Sequence, residues 1–283
     1  MNTLEETKYI LNKYNLYAKK KFGQNFLIND NVIDSIIEKS NLDKNTLVIE
    51  IGPGLGTLTN KLLEVAKKVI SIELDKDMVD ILNDRFKFYD NFMLINEDCL
   101  KVDMEELIKK EKEEDKEISK VKIVANLPYY ISTPIIMKLL EENLKVDEIV
   151  VMVQKEVADR LVGKNDIGAI TYEVDYYSIA SSLIDVDKTC FLPSPKVDSE
   201  VIKLEKRKEK IVDSKDSKLL FSLIKNSFNQ RRKTLVNTLV NYFNNKQDAI
   251  KCLEDLGIDV NIRGEKLSLE EFNNIANYIY DNK

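Results

Sequence analysis

Five short apolar runs, at residues 47–51, 69–72, 92–95, 121–125 and 148–153, recur through the first half of the chain. Apolar runs this short, without polar alternation, read as strands buried on both faces. The segments between them at 58–66, 78–86 and 134–144 carry apolar residues at helical spacing. Strands that alternate with helices pair in parallel, since a parallel pair needs a crossover connection, and the pattern predicts a doubly wound, Rossmann-like α/β sheet. Residues 197–204 alternate apolar and polar instead, which predicts an antiparallel edge strand closing the sheet. From about Ile211 no strand pattern returns; 219–223, 235–242 and 272–279 have helical spacing, and Ser268 with Glu271 forms a capping box for the last of them. The expected organisation is therefore a sheet domain over residues 1–208 and a small all-helical C-terminal domain over 209–283. The nearly all-charged stretch 105–120 is expected to be a solvated helix or surface excursion between two strands.

Glycine and proline are scarce, eight and five in 283 residues, so their positions carry information. Three glycines fall in Gly52-Pro53-Gly54-Leu55-Gly56, directly after the first apolar run. Glycines there let the backbone pass close to a ligand at the carboxyl end of the first strand. A dinucleotide fingerprint would need glycine where Thr57 stands, so a nicotinamide-dependent oxidoreductase is disfavoured and a ligand without a pyrophosphate fits better. The second strand ends in Glu73, about twenty residues on, where such folds place a ribose-binding acid. The third ends in Glu97-Asp98-Cys99, where Asp98 can take an adenine amino group.

The fourth strand ends in Asn126-Leu127-Pro128-Tyr129-Tyr130. The exocyclic amine of adenine is a weak nucleophile because its lone pair is delocalised into the ring. Two acceptors for its hydrogens localise that pair; the Asn126 side-chain oxygen and the carbonyl of Leu127 or Pro128 are of the required kind. Pro128 fixes the local backbone, and Tyr129 offers a face for a base to stack on. Histidine is absent and the three cysteines are far apart, so imidazole chemistry is excluded and no metal site is expected. Methyl transfer from a sulfonium needs neither.

These blocks resemble the ribosomal RNA adenine dimethyltransferase family. The resemblance runs over nearly the whole chain, through Phe22-Gly23-Gln24-Asn25-Phe26-Leu27, the glycine turn, Asn126-Leu127-Pro128-Tyr129 and Gln154-Lys155-Glu156-Val157. It continues in Phe191-Leu192-Pro193-Ser194-Pro195-Lys196-Val197-Asp198-Ser199 and Phe228-Asn229-Gln230-Arg231-Arg232-Lys233-Thr234. It implies a class I methyltransferase fold and S-adenosylmethionine as cofactor, held by Asn25, Leu27, Gly52, Glu73, Asp98 and Asn126. It places Glu50 near the methionine part or the amine, and makes Phe191 a second aromatic that sandwiches the adenine with Tyr129. Pro53, Leu55 and Leu127 are similar to the housekeeping branch, which dimethylates two adjacent adenosines near the 3′ end of small-subunit (16S) rRNA during late subunit assembly, rather than to the macrolide-resistance branch.

The formal charge of −6 argues mildly against a nucleic-acid partner, but basic residues cluster. Lys19, Lys20 and Lys21, the stretch 203–208, and Arg231, Arg232 and Lys233 are expected to contact phosphates of a pre-30S particle. No apolar run nears the ~20 residues a membrane span needs, and the first residues lack a signal-peptide core. A soluble, cytoplasmic monomer is expected.

Overall fold

The computed structural model describes residues 2–16, 23–142, 144–165, 167–243 and 245–282. In chain order its elements are α1 (Thr3–Lys13), β1 (Phe26–Leu27), α2 (Asp30–Ser40), β2 (Thr46–Ile51), α3 (Thr57–Val65), β3 (Lys68–Glu73), α4 (Lys76–Phe86), β4 (Phe92–Asn96), α5 (Met104–Glu114), β5 (Lys120–Asn126), α6 (Ser132–Glu141) and β6 (Glu148–Gln154). There follow α7 (Lys155–Val162), α8 (Ala169–Tyr177), β7 (Ser178–Val186), β8 (Phe191–Leu192), β9 (Ser199–Lys206), α9 (Ser217–Asn229), α10 (Leu235–Leu239), α11 (Lys246–Asp255) and α12 (Leu269–Asp281).

All five apolar runs are strands. They form a seven-stranded sheet ordered β4-β3-β2-β5-β6-β9-β7, with β4 to β6 parallel and β9 antiparallel to β6. Every residue of β2 is buried, as a strand covered on both faces requires. The chain leaves β2 towards β3 on one side and returns to β5 on the other, so the strand order reverses between β2 and β5. Ligands of open α/β sheets bind at the carboxyl ends of the strands beside such a point.

Two expectations are corrected here. The strand at 199–206 is not the sheet edge, because β7 lies outside it. β7 reads Ser-Ile-Ala-Ser-Ser-Leu-Ile-Asp-Val and is mostly half-buried, so its sequence alternates too weakly to announce a strand. The single cut after residue 208 also fails in part. The chain divides into one compact unit of Met1–Ala158 with Ile179–Lys206 and a second of Asp159–Ser178 with Arg207–Lys283. The segment Asp159–Ser178 joins the helical unit because Ala169, Tyr172 and Tyr176 of α8 pack against its core of Leu223, Leu239, Phe272 and Ile275. Within that unit the capping box at α12 is present, with Glu271 N donating to Ser268 Oγ at 3.2 Å and Ser268 N to Glu271 Oε2 at 2.7 Å. The unit also contains α8 and α11, outside the three segments that the spacing predicts.

The charged stretch 105–120 contains α5, started by Asp103, whose side chain accepts from Glu106 N at 2.9 Å. The helix is not simply solvated. Met104, Ile108 and Glu111 form a buried face, and Glu111 pairs with Lys68 of β3 at 2.5 Å.

Candidate active site

Loops at the carboxyl ends of β2, β3, β4 and β5, together with residues 23–27, line one cleft in the first unit. It contains Asn25, Leu27, Glu50, Gly52, Glu73, Asp98, Asn126, Pro128 and Tyr129, all of them expected site residues.

The glycine turn is built by left-handed backbone. Gly52, Gly54 and Gly56 have φ of 67°, 57° and 80°, a region that penalises any side chain. Gly52 N donates to Ile72 O at 2.9 Å, and a Cβ on Gly52 would lie 3.3 Å from Pro128 Cγ and Cδ. The glycine turn and the Asn126 motif, distant in sequence, therefore lie against each other. On the far side of the turn, Arg85 of α4 donates to the Leu55 carbonyl and pairs with Glu6 of α1 at 2.5 Å. Arg85 carries no sequence signal, since only the fold brings α4 under the turn. Gln24 Nε2 donates to Asp75 Oδ2 at 2.8 Å, fastening the 23–27 loop to the start of α4.

Glu73 ends β3 and is buried, which raises its carboxyl above the usual range. Its Oε2 accepts from Gly54 N at 3.3 Å and its Oε1 from Asp75 N at 2.8 Å. Each carboxylate oxygen can accept two hydrogen bonds, so capacity for a diol remains. Asp98 accepts from Leu100 N at 3.0 Å through Oδ1.

Asn126 ends β5 half-buried in the cleft, with Nδ2 donating to the Asn25 carbonyl at 3.4 Å. That contact fixes which end of the amide is the donor and leaves Oδ1 as an acceptor. The Pro128 carbonyl accepts from Ile131 N at 3.2 Å in the turn that follows, which leaves it one further acceptor position. Tyr129 shares a 2.6 Å hydrogen bond with Ser199 Oγ of β9; burial raises its hydroxyl above the ordinary tyrosine range.

Phe191, the second aromatic expected beside the adenine, is a buried residue. Its ring is only 2% exposed, sits in the sheet's hydrophobic core, and is not among the cleft residues. Residue 191 pairs with Leu27 across the short β1–β8 ladder. The further aromatics that do line the cleft are Phe26 and Tyr130.

Glu50 is 1% exposed, and its Oε2 accepts from Thr59 Oγ1 at 2.6 Å and Ser71 Oγ at 2.8 Å. Burial outweighs these bonds and pushes its pKa up from 4.5 to about 7. Between those two values the native state holds more protons than the unfolded chain, so stability falls as pH rises from about 4.5 to about 7 and is flat above. The penalty is on the order of 3 kcal/mol. Glu50→Gln keeps an acceptor for the two hydroxyls, and its stability, measured by urea unfolding between pH 5 and 8, should lose this fall. Parallel pH curves for the two proteins would refute the assignment.

Of the expected phosphate contacts, Lys19, Lys20 and Lys21 lie outside the described residues. Arg231, Arg232 and Lys233 are exposed at the turn between α9 and α10. The Arg231 guanidinium stacks 5.3 Å from the Phe228 ring and donates to Ile167 O at 3.4 Å, so it also holds its own unit together. The 203–208 cluster is largely engaged within the protein. Lys203 pairs with Glu205 at 3.2 Å, Lys206 donates to Leu144 O at 3.1 Å, and Arg207 pairs with Asp175 at 2.5 Å.

The sequence profile described as "Ribosomal RNA adenine dimethylase" matches residues 15–281. A protein named ribosomal RNA small subunit methyltransferase A from Clostridium acetobutylicum is 46% identical over 277 residues, covering 97% of this chain and 98% of that protein. One of the same name from Bacillus licheniformis is 47% identical over 273 residues, covering 94% and 92%. Among solved structures, a dimethyladenosine transferase from Plasmodium falciparum superimposes with a TM-score of 0.74 at 27% identity, over 90% of this chain and 98% of that one. The 23S rRNA methyltransferase ErmE gives 0.67 at 22% identity, over 90% and 100%, a likeness of fold.

Proposed function

The chain belongs to the ribosomal RNA adenine dimethylase family, and from that premise we propose that it transfers methyl groups from S-adenosylmethionine to N6 of two adjacent adenosines near the 3′ end of small-subunit rRNA. The observation that carries this reading is the contact of the glycine turn with the Asn126 loop, 3.3 Å from the absent Cβ of Gly52 to Pro128, which brings a cofactor-type turn and an amine-accepting motif into one cleft. The choice of small-subunit RNA is supported by what the bacterial relatives are named.

The residues present fit an adenosyl cofactor. Left-handed glycines leave room for close approach of the ligand to the turn, Glu73 has acceptor capacity for the ribose hydroxyls, and Asp98 has it for the adenine amine. The cofactor supplies an electrophilic methyl on a sulfonium. Asn126 Oδ1 and the carbonyl of Leu127 or Pro128 accept the two amine hydrogens of the target base, which localises the nitrogen lone pair and aims it. Tyr129, held by Ser199, presents its ring to a base that has left its stack. After attack the nitrogen is strongly acidic, and its proton passes to water without a dedicated base. Ionised Glu50 favours the cationic methionine end, so cofactor affinity should rise with pH through about 7.

The acceptor is a pre-30S particle met in the cytoplasm by a monomer. Incubation with labelled S-adenosylmethionine and under-methylated small subunits should place label in N6,N6-dimethyladenosine; its absence there defeats the proposal. For the RNA surface, Arg232 and Lys233 are the better test pair because Arg231 has a structural task. Arg232→Gln with Lys233→Gln should weaken particle binding and reduce its log–log salt slope by about two. An unchanged slope would put the phosphate contacts elsewhere.

A further inference from the structure

Tyr130 is a large aromatic left 53% exposed at the rim of the cleft. It follows Tyr129 in the single turn Tyr129–Ile131, but the two rings have different surroundings. Tyr129 is committed to the β9 side through its hydroxyl bond to Ser199. Tyr130 meets the opposite wall. Its Cδ1 lies 3.3 Å from where a Cβ of Gly23 would stand, so the left-handed Gly23 backbone, with φ of 60°, packs against the ring edge. Partial burial raises its hydroxyl above the usual tyrosine range, with smaller contributions from Cys99, Asp98 and Glu73. The ring therefore packs on the 23–27 loop and lines the same cleft as Glu73 and Asp98.

We propose that Tyr130 is a cofactor-contacting residue whose ring face closes over the adenosine moiety of S-adenosylmethionine, while Tyr129 serves the target base. The inference rests on the cofactor reading above. A purine or ribose laid on the ring covers apolar surface that otherwise faces water, and an aromatic face accepts a purine face favourably. The hydroxyl contributes less than the face. Tyr130 takes no part in the bond changes at the amine, so its loss acts on cofactor affinity and not on the chemical step.

Calorimetric titration of the full chain with S-adenosylhomocysteine tests this, with 5′-methylthioadenosine as a probe of the adenosine half alone. Tyr130→Ala should bind both about tenfold more weakly, in the range of one base–aromatic stack. Tyr130→Phe should bind within about twofold of the original. Tyr130→Leu, which keeps apolar bulk without a planar face, should resemble the alanine variant and serves if that variant unfolds. Equal affinities for Tyr130→Ala or Tyr130→Leu and the original protein would overturn the inference, as would a phenylalanine variant as weak as alanine. So would an unchanged cofactor affinity with a raised KM for the small subunit, since the ring would then belong to the acceptor side. If the original protein bound neither probe, the cofactor reading itself would fall, an outcome distinct from all of these.

Discussion

Asn126→Ala should lower the single-turnover rate of methyl transfer by about 10²- to 10³-fold, the range for removing one preorganised hydrogen-bonding group from a transition state. The side chain ends β5 with Nδ2 on the Asn25 carbonyl and Oδ1 unengaged by it. Alanine deletes the acceptor that localises the amine lone pair while the Leu127 and Pro128 backbone remains. The half-buried side chain has one long hydrogen bond, at 3.4 Å, so stability should change little. Binding to small subunits should also persist, because the charged surface is untouched. Labelled-methyl transfer under single-turnover conditions, beside filter binding of the same particles, separates the two effects. Equal loss of binding and rate would instead assign Asn126 a mainly structural part, and an unimpaired rate would remove it from the mechanism.

Gly56→Ala is expected to damage the fold as well as the cleft. Gly56 precedes α3 with φ of 80°, and an added Cβ would stand 2.6 Å from Phe86 Cε2 and 2.9 Å from Leu82 Cδ2. Both neighbours are core residues, 3% and 0% exposed, with nowhere to retreat. The left-handed backbone costs about 1–2 kcal/mol and overpacking about 1–3 kcal/mol more, a large part of a typical net stability of about 5–15 kcal/mol. A fall in Tm on the order of 10 °C follows. Gly257 is the control, since its φ of 68° carries the same backbone strain with no atom within 4 Å of the added Cβ. Gly257→Ala should cost only a few degrees. If both variants melted alike, the contact with Phe86 and Leu82 would not be what makes Gly56 necessary.

The parts legible in the sequence are those whose signal is local. Strands β2, β3, β5 and β6 are visible because strands covered on both faces are apolar in their interior, β4 at the sheet edge because its short run is apolar although only half-buried, and Gly52, Gly54 and Gly56 because left-handed backbone selects glycine. The α12 capping box was visible because its partners are three residues apart. The failures are of the opposite kind. β7 carries serines at half-buried positions, so its place outside β9 depends on a neighbour and not on its own pattern. Segment Asp159–Ser178 reads as an ordinary continuation of the sheet domain, and only the packing of Tyr172 on Phe228 and Phe272 shows where it belongs.

Residue identities alone determined that this chain builds a parallel sheet, places a glycine turn and two acids at its strand ends, and carries an amide where an adenine amine could be held. Each of those follows from backbone sterics or side-chain chemistry within a few residues. Tertiary structure decided the rest. It buried Phe191 in the core of the sheet, neutralised much of the 203–208 cluster with internal partners, set Arg85 under the glycine turn, and raised the Glu50 carboxyl by burial. Burial and ion pairing are properties of groups brought together from distant parts of the chain, and no local pattern records them.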